Sequence, residues 1–374
     1  MLKKILFPGK YIQGTGALAE LPSLVKTFGT RGLILASSTP YKEILPQSRL
    51  NLKAPSLFVE RFAGECCEKE LSRLAAIIRE KSADLVVGMG GGKTIDTAKI
   101  AADRANIPVI VVPTIASTDA PCSGCAVVYS ERGVFESIHY QKSNPSAVLV
   151  DTEIIARAPV RFLVAGMGDA LATWFEAKSC SDTQSKNECG GLATLSGLNL
   201  ARLCYDTLLR YGVAAKDAAE QHVVTPELEH IVEANILLSG IGFESGGLAS
   251  AHSIHNGLTA MEETHAYYHG EKVAFGVLAG LQLAGSPPEQ SDTVFSFCEA
   301  VGLPTTLADI GLLNLDRNSL ALVAERACAQ GESIHHEAGE ITPGRVLEAL
   351  LAANTIGERR KKQRQMPGEG DARS

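Results

Sequence analysis

The stretch Ala83-Asp-Leu-Val-Val-Gly88-Met-Gly-Gly-Gly-Lys-Thr94 decides the fold class. Its first part, Ala83–Gly88, is a short apolar run that reads as a buried strand. A glycine turn follows, and Thr94–Arg104 beyond it reads as a helix. Glycines let backbone amides approach a phosphate closely, and a helix N-terminus adds partial positive charge. A Walker A loop would need glycine at Val87, and a G-x-G-x-x-G fingerprint would need one at Lys93, so neither template applies. What remains is a pyrophosphate cradle of another kind, with Lys93 as an adjacent cation, or a tight turn that binds nothing.

Outward from this stretch the same alternation continues. Gly32–Ala36 reads as a strand ending in a turn at Ser37–Pro40. Glu68–Lys81 places Leu71, Leu74, Ala75, Ile77 and Ile78 on one helical face. Ile107–Val112 and Ala147–Val150 read as further strands, the latter leading to Asp151. This β-α-β order predicts an α/β domain with a mostly parallel, Rossmann-like sheet. From about residue 152 helical patterns take over: Met167–Cys180, Leu192–Tyr211, Glu227–Gly247, His252–Thr259 and Ser319–Gln330. The expected organisation is an α/β domain over 1–158, an all-α domain over 159–357, and a ligand cleft between them. The stretch 358–374, with Arg359, Arg360, Lys361, Lys362 and Arg364, is expected to be a basic, solvated or frayed terminus.

Composition excludes several classes. The chain has 374 residues, 45% of them hydrophobic, which is a globular composition and not a disordered one. A formal charge of −7 supplies no basic field for nucleic acid. The apolar run Ile107–Ala116 contains a proline and is too short to span a membrane. Pro8 interrupts the N-terminal apolar residues, a poor signal peptide, so a cytoplasmic location is the expectation. Nine cysteines cannot all pair within one chain, which fits reduced thiols. Cys122-Ser-Gly-Cys125 has C-x-x-C spacing but no second pair at zinc-finger distance.

Four of the nine histidines, His252, His255, His265 and His269, fall within eighteen residues. His252 and His255 are three apart and share a face if the segment is helical. Upstream, Asp169 stands in Ala165-Gly-Met-Gly-Asp-Ala-Leu-Ala-Thr-Trp174 at what reads as a helix start. One carboxylate with two imidazoles and an open position is a recognised catalytic zinc arrangement, although Asp169 could equally be an N-cap.

Four motifs carry a resemblance: Gly90-Gly-Gly-Lys-Thr-Ile-Asp-Thr-Ala98, Pro113-Thr-Ile-Ala-Ser-Thr-Asp-Ala-Pro-Cys122, Gly166-Met-Gly-Asp-Ala-Leu-Ala-Thr-Trp-Phe-Glu176 and His269-Gly-Glu-Lys-Val-Ala-Phe-Gly276. In this order they resemble the glycerol-oxidising branch of the iron-containing (group III) alcohol dehydrogenase family, whose fold is similar to dehydroquinate synthase. The likeness runs from Pro8 to about Gly357.

The resemblance implies NAD-dependent, zinc-dependent oxidation of glycerol to dihydroxyacetone. It implies a metal on Asp169, His252 and His269, with iron as the alternative ion, and makes His255 a pocket residue able to move a proton. Those three ligands and Asp119 would hold the diol substrate. Gly90, Gly91, Gly92, Lys93, Thr94 and Asp96 correspond to the pyrophosphate loop, and Thr114, Ser117, Ser123, Cys125 and Tyr129 to the nicotinamide side. Thr114 and Ser117 could instead cap a turn. The resemblance implies a homo-oligomer, with an octamer as the candidate size, while charge and apolar run length point to neither nucleic acid nor membrane as a partner. Related activities on another vicinal diol or glycerol phosphate, or a dehydroquinate-synthase-like lyase, remain open. One departure stands out: Ala36-Ser-Ser-Thr39 lacks the acid that would grip the adenosine ribose and repel a 2′-phosphate.

Overall fold

The computed structural model describes residues 2–48, 50, 56–313 and 316–365. In its first half, strands β1 (Tyr11–Gly14), β2 (Arg31–Ala36), β3 (Ser56–Arg61), β4 (Leu85–Gly90), β5 (Val109–Pro113), β6 (Cys125–Tyr129), β7 (Phe135–Tyr140) and β8 (Ala147–Asp151) alternate with helices α1 (Leu21–Phe28), α2 (Leu45–Gln47), α3 (Glu68–Lys81) and α4 (Gly92–Ala105). Six strands form one sheet in the order β1-β8-β5-β4-β2-β3, while β6 and β7 form a separate antiparallel hairpin. Every pairing in the large sheet is parallel.

The four interior strands β2, β4, β5 and β8 are buried almost throughout. Strands covered on both faces read as continuous apolar runs, which is why the sequence announces these four. The sheet edges β1 and β3 are only half-buried, and their sequences Tyr-Ile-Gln-Gly and Ser-Leu-Phe-Val-Glu-Arg mix polar and apolar residues. Neither was expected from periodicity.

Strand order reverses between β2 and β4. From β2 the chain moves outward to β3; from β4 it crosses through α4 to β5 on the other side. The carboxyl ends of two strands that diverge in this way frame a crevice, the usual ligand position in open α/β sheets. Ala36 lies opposite Met89 in the register, so Ser37 and the glycine turn are neighbours at this crevice.

The second half contains α5 (Thr152–Ala156), α6 (Val160–Thr183), α7 (Leu195–Glu220), α8 (Pro226–Glu233), α9 (Ser239–Gly246), α10 (Ser250–Leu258), α11 (His269–Leu283), α12 (Pro288–Val301), α13 (Arg317–Ala327) and α14 (Pro343–Gln365). A π-turn at Ala234–Leu238 joins α8 to α9, so the single helix expected over Glu227–Gly247 is a rod with a bulge in it. Helices α11, α12 and α14 were not foreseen. One buried cluster joins Val148 and Val150 of the sheet to Met167 and Leu171 of α6, Phe275 of α11 and Leu350 of α14. The opposite sheet face, with Ile34, Val87, Ile110 and Leu149, packs with Leu21 and Val25 of α1 in a second cluster.

The basic tail departs from expectation. Helix α14 continues through Gln365, and Arg360 pairs with both Glu299 and Asp292. Arg364 also reaches Glu299, and Lys361 pairs with Asp309. Residues 358–365 are therefore helical, and three of their five basic side chains, Arg360, Lys361 and Arg364, are tied to acids of α12 and of the loop that follows it. The rest of the expected tail, 366–374, lies outside the described residues. Among the described residues no helix is long and apolar enough to cross a membrane.

Candidate metal centre and cofactor crevice

Asp169, His252 and His269 come together although α6, α10 and α11 supply one each. His269 Nε2 lies 3.0 Å and His252 Nε2 3.5 Å from the same oxygen, Oδ1 of Asp169. That oxygen is buried and has no hydrogen-bond partner. A buried carboxylate oxygen left without a donor is costly, and a cation held between it and two imidazole nitrogens would satisfy it. The donor set therefore fits a divalent metal. Among the described residues no other group of histidine, cysteine and acidic side chains meets the same geometric condition. Asp169 is no N-cap: α6 begins nine residues earlier, at Val160, and the acid sits in its middle.

Backbone contact makes this convergence possible. A Cβ on Gly270 would lie 1.8 Å from the carbonyl oxygen of Ala165, and one on Gly168 would lie 2.3 Å from that of Gly270. Helix α6 and the first turn of α11 thus touch without side chains between them, which sets His269 beside Asp169. The Gly-Asp and His-Gly steps of the two motifs are steric requirements of one crossing.

The outer contacts of the two imidazoles differ. His252 Nδ1 faces Glu176 Oε2 at 2.6 Å. His269 Nδ1 faces His255 Nε2 at 3.0 Å, and His255 Nδ1 faces Asn256 Oδ1. Burial alone would disfavour charge on Asp169, but the neighbouring His269 and His252 outweigh it and hold the carboxyl well below its usual range. Burial disfavours the His252 cation too, yet Glu176 and Asp169 reverse the balance and raise its pKa. His255 is pushed the other way by burial and by the charge of His269, which keeps its imidazole neutral. His265 stands apart, bonded to the Thr259 carbonyl.

Asp119 enters from the loop after β5. Its backbone N–H donates to Asp169 Oδ2 at 3.2 Å, and its own Oδ2 accepts from Ser239 at 3.0 Å. Burial and the adjacent Asp169 charge raise its pKa well above the carboxylate norm. Ser239 follows the π-turn, and within that turn Asn235 donates to the carbonyls of Ala116 and Leu163. This irregular segment ties the Ala116–Asp119 loop to α6.

At the crevice, Gly91 is the N-cap of α4 and carries no side-chain cap. A Cβ on Gly92 would meet only Thr118 Oγ1, at 3.6 Å, so the space beside this helix N-terminus is open. Thr94 is buried under the turn, and Thr114 N–H donates to the Gly90 carbonyl, which joins β5 to it. Lys93 is not a free cation: its Nζ pairs with Glu65 and lies 5.0 Å from the centre of the Tyr129 ring. Ser117 is half-buried in the same loop as Asp119.

Asp96, Ser123 and Cys125 surround a lysine that the sequence did not single out. Lys99 is fully buried, and its ammonium donates to the carbonyls of Ala120 and Cys125, with Ser123 Oγ at 3.4 Å and Asp96 Oδ1 at 3.7 Å. Asp96 Oδ2 accepts from Val127 N–H. Asp96 therefore faces the protein interior and anchors β6, not the open side of the glycine turn. The only hint in sequence was the i, i+3 acid–base spacing on α4. Cys122 and Cys125 are free thiols, and burial raises both of their pKa values. Glu176 was likewise missed, although it lies seven residues after Asp169 and hence on the same helical face.

Residues 8–152 match the iron-containing alcohol dehydrogenase family. A glycerol dehydrogenase of Thermotoga maritima is 51% identical over 96% of this chain and 99% of its own length. One from Citrobacter freundii is 49% identical with the same coverage. The crystal structure of a probable glycerol dehydrogenase from Sinorhizobium meliloti superposes with a TM-score of 0.90 at 43% identity, covering 96% of this chain and 99% of that one.

Proposed function

The chain belongs to the iron-containing alcohol dehydrogenase family, and from that premise we propose that it oxidises glycerol to dihydroxyacetone, using NAD and a divalent metal, zinc in preference to iron. The observation that carries the proposal is the partnerless Oδ1 of Asp169 facing two imidazole Nε2 atoms beside Asp119. Near-half identity to glycerol dehydrogenases over nearly the whole chain supports the substrate. Two histidines and one aspartate match a catalytic zinc set that keeps a position open.

When bound, the metal supplies Lewis acidity that eases ionisation of an alcohol, and the dinucleotide supplies the hydride acceptor. The chain's own groups bind and orient. Asp169, His252 and His269 would hold the ion, and with Asp119 they would fix the vicinal diol. Asp119 would orient a substrate hydroxyl through its carboxyl group. His255, whose Nε2 meets His269 Nδ1 at 3.0 Å, is the pocket residue we assign to relay a proton outward. The open N-terminus of α4 receives the pyrophosphate through the amides of the Gly90–Gly92 turn. Thr114, Ser117, Cys125 and Tyr129 would line the nicotinamide side; Ser123, bonded around Lys99, would act there only through the loop it holds. The acting form is a homo-oligomer.

The test is the absorbance of reduced nicotinamide with purified protein, glycerol and NAD, before and after chelation. Chelator-sensitive accumulation supports the proposal. No signal with glycerol, and none in reverse with dihydroxyacetone, would sink it and favour a lyase that returns its hydride within each cycle. Because Ser37, Ser38 and Thr39 place no carboxylate at the end of β2, the same assay with NADP is expected to give measurable turnover.

A further inference from the structure

If the metal centre is as proposed, its two histidines are held by groups of opposite character. An imidazole backs His269, whereas a buried acid, Glu176, backs His252. Glu176 is 1% exposed and lies two helical turns beyond Asp169 on α6, so a single helix carries both the acidic ligand and this second acid. Its two oxygens have separate tasks. Oε1 accepts the backbone N–H groups of Ala249 at 2.9 Å and His252 at 3.0 Å, at the N-terminus of α10, where Ala249 supplies no side-chain cap. Oε2 accepts from His252 Nδ1.

We infer that Glu176 is a positioning residue for the metal centre, fixing His252 with its proton on Nδ1 so that the lone pair of Nε2 is free for a metal held between it and Asp169 Oδ1. A hydrogen bond to one ring nitrogen sets which nitrogen can ligate, and a carboxylate partner makes the imidazole a stronger donor. Both oxygens of Glu176 must be acceptors for this. A glutamine has only one. If its oxygen stays on the backbone amides, its –NH2 group faces Nδ1, and His252 must then carry its proton on Nε2, where the metal would bind.

The experiment compares wild type, Glu176→Gln, Glu176→Ala and His269→Ala. Zinc retention is measured against a graded chelator, the visible spectrum after cobalt substitution, and the melting temperature without metal. Glu176→Gln is expected to lose about ten- to a hundredfold in zinc affinity and to alter the cobalt spectrum, while the metal-free protein melts near wild type because the helix cap survives. Unchanged affinity and spectrum overturn the inference. So does a loss that Glu176→Gln and Glu176→Ala share with an equal fall in metal-free melting temperature, since Glu176 would then be a cap alone. His269→Ala separates this from the underlying proposal: if that variant keeps zinc like wild type, the three-ligand centre itself is wrong. Should Glu176→Gln be insoluble, histidine nitrogen NMR of the zinc-loaded wild type decides. The Nδ1 proton of His252 is expected well downfield of that of His269, and coincident resonances overturn the inference.

Discussion

The metal centre and the cofactor crevice are built on opposite principles. At the centre the chemistry lies in side chains, and glycines serve only to let α6 and α11 touch. At the crevice the chemistry lies in the backbone, and the one charged side chain in the turn, Lys93, is committed to Glu65. A centre of the first kind should fail when a side chain is lost, and a crevice of the second kind when a methyl group is gained.

The largest effect should come from the ligands themselves. Replacing Asp169 with Asn or His269 with Ala is expected to cost about a thousandfold or more in turnover, with loss of bound metal by elemental analysis, since a Lewis acid contributes several kcal/mol to such a step. Retained metal and rate would remove the distinction between the two regions. Next, Gly270→Ala should destabilise the fold by about 1–3 kcal/mol and loosen metal binding together, because the new methyl cannot coexist with the Ala165 carbonyl. Thermal melting with metal analysis checks this; a wild-type melt would show that the helices can separate cheaply.

Gly92→Ala tests the other side. Open space surrounds that position, so melting should not change, whereas the dissociation constant for NAD should rise roughly tenfold, a loss of about 1.4 kcal/mol. An unchanged constant would mean that the pyrophosphate lies elsewhere. The smallest effect is expected for Lys93→Ala, at most about 1 kcal/mol in NAD binding, because its charge is already paired at a half-exposed site. A larger loss would show that Lys93 leaves Glu65 to meet the cofactor.

The same contrast explains what could be read from sequence. The glycine turn, the four interior strands and helices α3 and α4 were legible because each imposes a local pattern: a buried apolar run, one apolar face, or glycines between strand and helix. The resemblance named three candidate metal ligands, and the structure brings their side chains together. Local pattern could not reveal Glu176 or Lys99. Each is a charged residue on a helix like many solvated ones, and only the fold turns it inward. Asp96 was misjudged for the same reason, being close in sequence to the cradle but aimed at Lys99. The tail looked free because its partners Asp292, Glu299 and Asp309 lie more than fifty residues away in sequence.

The crossing of α6 and α11 also constrains how this chain can change over generations. Gly168 and Gly270 meet there from opposite sides, each the smallest residue available. A side chain gained at one cannot be offset by shrinking the other, because neither has anything left to lose. Repair after such a change must come from substitutions that shift a whole helix axis. Selection for restored activity in a Gly270→Ala background should therefore return suppressors along the flanks of α6 and α11, with none at Gly168.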